Sequence, residues 1–106
     1  MNIETVRKLA LALPGATEED HFGRPSFRVR RRIFATLPDD RHVNLFIEPM
    51  DVDGVVQLDV KTYAPVLWGK ETRGVRAHLP TASASTVRDL LASAWRRKAQ
   101  KRLAKP

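Results

Sequence analysis

Apolar residues recur at helical spacing at the two ends of this chain and at strand spacing between them. That change of period restricts the fold more than any other feature. Ile3, Val6, Leu9, Ala10 and Leu13 share one helical face, while Glu4, Arg7 and Lys8 face water. Asn2 is placed to cap this helix, and Pro14-Gly15 to stop it. At the other end Val87, Leu90, Leu91, Ala94 and Trp95 form a second buried stripe behind a Ser83 or Ser85 cap. Residues 14–26 read as a loop punctuated by Gly23 and Pro25. Phe27 and Val29 alternate with polar neighbours, and Ile33 to Leu37 resumes the apolar pattern, predicting an antiparallel hairpin. Its turn, Arg30-Arg31-Arg32, holds neither Gly nor Asn, so its type stays open. After a second turn at residues 38–41, Val43, Leu45 and Ile47 alternate as a third strand ended by Pro49. Residues 66–68 give a loop or short strand, and Val75 to Leu79 a further strand before Pro80.

Residues 49–62 support two readings. Pro49 can open a helix in which Val52, Val55, Val56 and Val60 share a face. Val56, Leu58 and Val60 also alternate as in a strand, and Asp53-Gly54 is a hairpin signal. Gly54 and the valines weaken a helix, so the residues alone lean towards strand. At 106 residues the chain fits one domain with a self-sufficient core. No apolar run approaches the ~18 residues of a membrane span, and no signal peptide opens the chain. Cysteine is absent, which removes disulfides and thiolate chemistry and makes a cytoplasmic location the expectation.

The formal net charge of +7 is unevenly distributed. Residues 1–53 hold eight Lys/Arg against nine Asp/Glu, and residues 54–106 hold eleven against three. Arg96, Arg97, Lys98, Lys101, Arg102 and Lys105 crowd the last eleven residues without an acid. A second basic focus is Arg28, Arg30, Arg31 and Arg32. Guanidinium forks suit phosphate geometry, so both foci are candidate nucleic-acid contacts. The competing reading is solubilising charge on a turn and a chain end.

Several short motifs, in order and spacing, resemble the MmcQ/YjbR-like family. At the front these are residues 11–19 (Leu-Ala-Leu-Pro-Gly-Ala-Thr-Glu-Glu), Phe22-Gly23-Arg24-Pro25, and Arg28-Val29-Arg30-Arg31-Arg32-Ile33-Phe34-Ala35. At the back they are Trp68-Gly69-Lys70 with Gly74, and residues 94–99 (Ala-Trp-Arg-Arg-Lys-Ala) before Lys101-Arg102-Leu103. The resemblance implies an α+β domain, a twisted antiparallel sheet packed against helices with a frataxin-like, double-wing outline. It makes residues 49–61 helical, and we adopt that over the strand reading. Two positions depart from the family pattern: Arg31 stands where a glycine helps the turn, and Val75 where a Trp follows Gly74. The resemblance also implies DNA binding through two projecting hairpins. DNA is therefore the expected partner, with Arg28, Arg30, Arg31 and Arg32 as hairpin contacts and Arg96, Arg97, Lys101 and Arg102 as phosphate contacts. The alternative is a protein- or small-ligand-binding module using a cleft near Trp68 and His78.

Other chemistries find less support. His21, His42 and His78 match no metal-ligand spacing, and Glu18-Glu19-Asp20 reads as a solvated acidic loop, so no metal or cofactor is expected. A frataxin-like iron role would need an acidic first helix, and this one offers only Glu4. Ser26, Ser83, Ser85 and Ser93 lie in no nucleophile context, and helical spacing does not converge Asp51, Asp53 and Asp59. His78 is the best single acid–base candidate, and no enzyme is expected. A basic stretch after an amphipathic helix can sit on anionic lipid, but this apolar stripe is committed to a core, so no membrane partner is expected.

Overall fold

The structure, a computed structural model, describes residues 1–100. It opens with α1 (Ile3–Leu11), capped by the Asn2 side chain, which accepts from the Thr5 N–H at 3.0 Å. Leu13 lies beyond the helix end and packs half-buried against the core. Next come β1 (Thr17–His21), β2 (Arg24–Val29), β3 (Arg32–Thr36) and β4 (His42–Leu45), then α2 (Pro49–Leu58), β5 (Tyr63–Trp68), β6 (Glu71–His78) and α3 (Ala84–Ala99). The six strands form one antiparallel sheet in the order β1-β2-β3-β4-β6-β5. α1 packs on α3, which lies over β2 to β4, and α2 covers β5 and β6. This is the expected α+β arrangement.

The core lies between sheet and helices. Phe27, Phe34, Leu37, Leu45 and Ile47 from the sheet side meet Val6, Val87 and Leu91 from the helices, all essentially without solvent contact. Ser83 caps α3 by accepting from the Thr86 N–H, which decides between the two serines. Trp95 is half-buried rather than fully buried. Its indole Nε1 donates to the Pro14 carbonyl at 2.8 Å and ties α3 to the chain just past α1.

Two expectations from the residues are corrected. Residues 14–26 are not a continuous loop, because β1 occupies Thr17–His21 and β2 begins at Arg24. β1 is an edge strand whose side chains are nearly all exposed, so no apolar alternation marks it; backbone pairing with β2 creates it. Residues 49–58 are helical, against the local strand lean; the helix that the resemblance implied over 49–61 is present but ends at Leu58, three residues earlier. Pro49 occupies the first turn, and Val52 is fully buried. Gly54 carries only its propensity cost of roughly 1 kcal/mol, which packing on β5 and β6 offsets.

Both turns of the β1-β2-β3 meander use left-handed backbone at their two central residues, Phe22 and Gly23 (φ 54° and 84°), then Arg30 and Arg31 (φ 52° and 65°). Positive φ at both centres is what a two-residue type I′ hairpin requires. Arginine has no intrinsic tolerance for it, and the left-handed conformation costs roughly 1–2 kcal/mol per residue.

Candidate functional site

The register fixes which turns lie together. β2 and β5 run in the same direction, so the β2–β3 turn at Arg30-Arg31 and the β5–β6 turn at Gly69-Lys70 project from the same end of the sheet. The C-terminal turn of α3 reaches that end as well. Arg32 Nη1 donates to the Lys98 carbonyl at 3.3 Å, supplying a partner that the last helical turn lacks. Arg97 Nη1 donates to the Ile47 and Phe46 carbonyls at 2.9 and 3.2 Å, and its Nε lies 3.5 Å from Glu48. Residues 96–99, the start of the basic stretch over the last eleven residues, are thus the end of a packed helix. Lysines and arginines there also suit the negative pole of the helix.

Between the two hairpins lies a groove of about 800 Å³. β4 ends at Leu45 while β6 runs on to Glu71, leaving a notch with Phe46 and Pro49 among its lining residues. Ile33 and Thr36 of β3 contribute to it, and Val66, Leu67 and Trp68 of β5 face them. Arg73, Arg97 and Lys98 add positive charge. His21 also lines the groove, although it sits at the end of the opposite edge strand. Neighbouring strands twist by roughly 20–25°, and over five intervals that brings diagonal corners of a sheet towards one face.

Electrostatics at this end are unbalanced. The Lys98 ammonium is pushed below its ordinary pKa, first by burial and then by the nearby Arg97, Arg32 and Arg73, with Glu48 opposing. Arg73 lies over the Trp68 ring, its Cζ 4.4 Å from the centroid, and Nε is 3.5 Å from Glu71. Trp68 nevertheless remains 68% exposed, so it is a groove aromatic and not a core one.

The expected site residues divide accordingly. Arg30, Arg31 and Arg96 are exposed at the basic end. Arg32 and Arg97 are half-buried and hold backbone carbonyls, so they position the site. Arg28 stands one step down β2, its Nε donating to Ser26 Oγ at 3.2 Å. Lys101 and Arg102 lie outside the described residues. Arg73 joins the cluster through its place on β6, a position that the basic runs of the sequence did not single out.

Trp68 and His78 do not share a cleft, which corrects the cleft expected near both. They stand at opposite ends of the β5–β6 hairpin, because Trp68 pairs with Glu71 whereas His78 lies beyond Ala77. His78 instead lines a second hollow of about 230 Å³ with His42, Tyr63 and Arg76. The two imidazoles are cross-strand partners with ring centroids 5.1 Å apart. His42 Nδ1 bonds Asp39 at 2.9 Å, and His78 Nδ1 bonds Thr81 Oγ1 at 3.2 Å. The Arg41 backbone N–H, and then His42, hold the Asp39 carboxyl below its usual range. Burial raises the Tyr63 phenol.

The acidic run is engaged locally. Glu18 binds Arg7 of α1 at 2.7 Å, and Asp20 accepts from the Gly23 N–H at 3.2 Å. Among the described residues no three His, Asp or Glu side chains are grouped to hold a metal ion, and no helix is long and apolar enough to cross a membrane. Ser26 is wholly buried, with its hydroxyl donating to the Glu19 carbonyl.

A six-stranded antiparallel sheet with three helices, two hairpins and a helix end meeting at one pole defines an α+β domain of a particular kind. The chain belongs to the YjbR family, whose model matches residues 11–97. The crystal structure of Deinococcus radiodurans protein DR2400, which carries a DUF419 domain, is similar in fold. It is 19% identical, with a TM-score of 0.71 over 87% of this chain and 74% of that one. No protein of curated function matches the chain.

Proposed function

We propose that this protein binds DNA without catalysing a reaction, through phosphate contacts made by the basic end of its sheet. One observation carries the reading: cations distant in sequence gather at one pole. Arg30 and Arg31 come from one hairpin, Lys70 and Arg73 from the other, and Arg96 and Lys98 from the end of α3. The two hairpins act as wings on either side of a groove. Phosphate contacts release counterions, so six of them would give a log–log salt slope of roughly −5.

The test is fluorescence anisotropy of a labelled duplex between 50 and 200 mM salt. A double variant, Arg30→Asn with Arg31→Gly, removes two charges while installing residues that favour the left-handed turn, so folding is preserved. It should make the slope shallower by about 2. An unchanged slope would remove the hairpin from the interface, and no binding at 50 mM salt would end the reading.

A further inference from the structure

We infer that the groove between the two hairpins seats a single unpaired nucleotide, its base laid on Trp68 and its phosphate held by Lys98 and Arg73. The inference rests on the DNA reading and names which form of nucleic acid the site prefers. Three observations carry it. The first is shape: a notch of about 800 Å³ is the size of a small-ligand pocket, fitting one nucleotide between the hairpins. A base paired in a duplex is stacked and unavailable to such a notch, whereas an unpaired base can enter it.

The second is the aromatic surface. Arg73 covers one face of Trp68, yet the indole stays 68% exposed, leaving room for a planar partner on the other. Aromatic platforms of this kind take bases with little regard to sequence, because every base has a π-face. Leu67, also exposed, and Phe46 extend the apolar wall.

The third is charge. Arg73, Arg97 and Lys98 line the groove and Arg32 lies close behind Lys98, while the acids nearby are Glu48, beside Arg97, and Glu71, beside Arg73. The surplus of two positive charges matches a phosphate. Arg32 and Arg97 are committed to backbone carbonyls. Among the described residues the Lys98 ammonium has no ion-pair partner, and a phosphate would supply the counter-charge it lacks there.

The experiment compares three probes at fixed salt: a 12-nucleotide oligothymidylate, its duplex with oligoadenylate, and thymidine monophosphate. Affinities come from anisotropy and from tryptophan quenching, with wild type beside Trp68→Ala and Lys98→Gln. Trp68 is a surface side chain, so its truncation leaves the core intact. The single strand should bind at least 10-fold more tightly than the duplex and quench Trp68. Trp68→Ala should weaken single-strand binding roughly 10-fold or more while leaving duplex binding within 2-fold. Equal binding of strand and duplex, with Trp68→Ala silent, would overturn the nucleotide seat while leaving the phosphate reading in place. Saturable quenching by the mononucleotide, without binding of either polymer, would support the seat with a free nucleotide as its occupant, and the DNA reading would fail. Absence of all three would overturn both.

Discussion

Gly74 supports a sharp prediction, because its cost can be worked from backbone positions alone. A Cβ at residue 74 would lie 2.3 Å from the Leu45 carbonyl oxygen and 3.1 Å from both the Leu45 carbonyl carbon and the Phe46 Cα. These atoms belong to the end of β4, where the chain turns away to leave the notch, so no side chain can swing aside. Overpacking that side chains can absorb costs roughly 1–3 kcal/mol, and a backbone clash belongs at or above the top of that range. Gly74→Ala should therefore lose about 3 kcal/mol. For a domain of this size the unfolding entropy is about 0.2 kcal/mol/K, so Tm should fall by roughly 13 °C. Gly54→Ala is the internal control. That glycine lies within α2 with no atom within 4 Å of the added methyl, so the change should gain about 0.5–1 kcal/mol and raise Tm by about 2–5 °C. Calorimetry or circular dichroism melts of the two variants would decide it. A Tm loss below 3 °C for Gly74→Ala, or both variants moving in one direction, would refute the close-approach argument.

Further outcomes are expected elsewhere. Arg31→Gly should raise stability by about 1 kcal/mol by relieving left-handed backbone, while making the DNA salt slope shallower by about 1; denaturant unfolding and anisotropy read the two effects separately. Trp95→Phe keeps most of the packing but loses the 2.8 Å hydrogen bond to Pro14, and should cost about 1 kcal/mol in a urea titration. The Asp59 carboxyl is held below its ordinary pKa by the Thr62 hydroxyl and then by the Lys61 N–H. Its stabilising effect is therefore complete above the unfolded value near ~4 and is lost as pH falls through the lower folded value. Asp59→Asn should flatten the stability–pH curve in that acidic window. Parallel curves for variant and wild type, followed by urea midpoints at successive pH values, would show that Asp59 carries no such linkage.

Much of the candidate site is written in short runs of sequence. The arginines of the β2–β3 turn and the basic end of α3 are contiguous, so a sum of charges finds them. Arg73 is isolated between Thr72 and Gly74 and becomes part of the cluster only because β6 returns it to the end of α3. The pairing of Trp68 with His78 fails for a related reason. Their ten-residue separation looks short along the chain, but a hairpin folded between them carries them to opposite ends of the sheet.

The sequence by itself determined the elements with an apolar face: α1, α3 and the hydrophobic strands β2, β3, β4 and β6, where burial imposes a readable period of 3.6 or 2. It also determined the chemistry on offer, basic and free of cysteine. Tertiary structure decided what periodicity does not encode. β1 exists because β2 offers it backbone partners, α2 because Val52 finds a buried seat, and the I′ turn because two strands hold two arginines in left-handed backbone. The groove, too, is a tertiary product, since it depends on where β4 stops, how far the sheet twists and which way two hairpins and a helix end point. Those are relations between segments distant in sequence, fixed by backbone hydrogen bonding and close packing rather than by the character of any one residue.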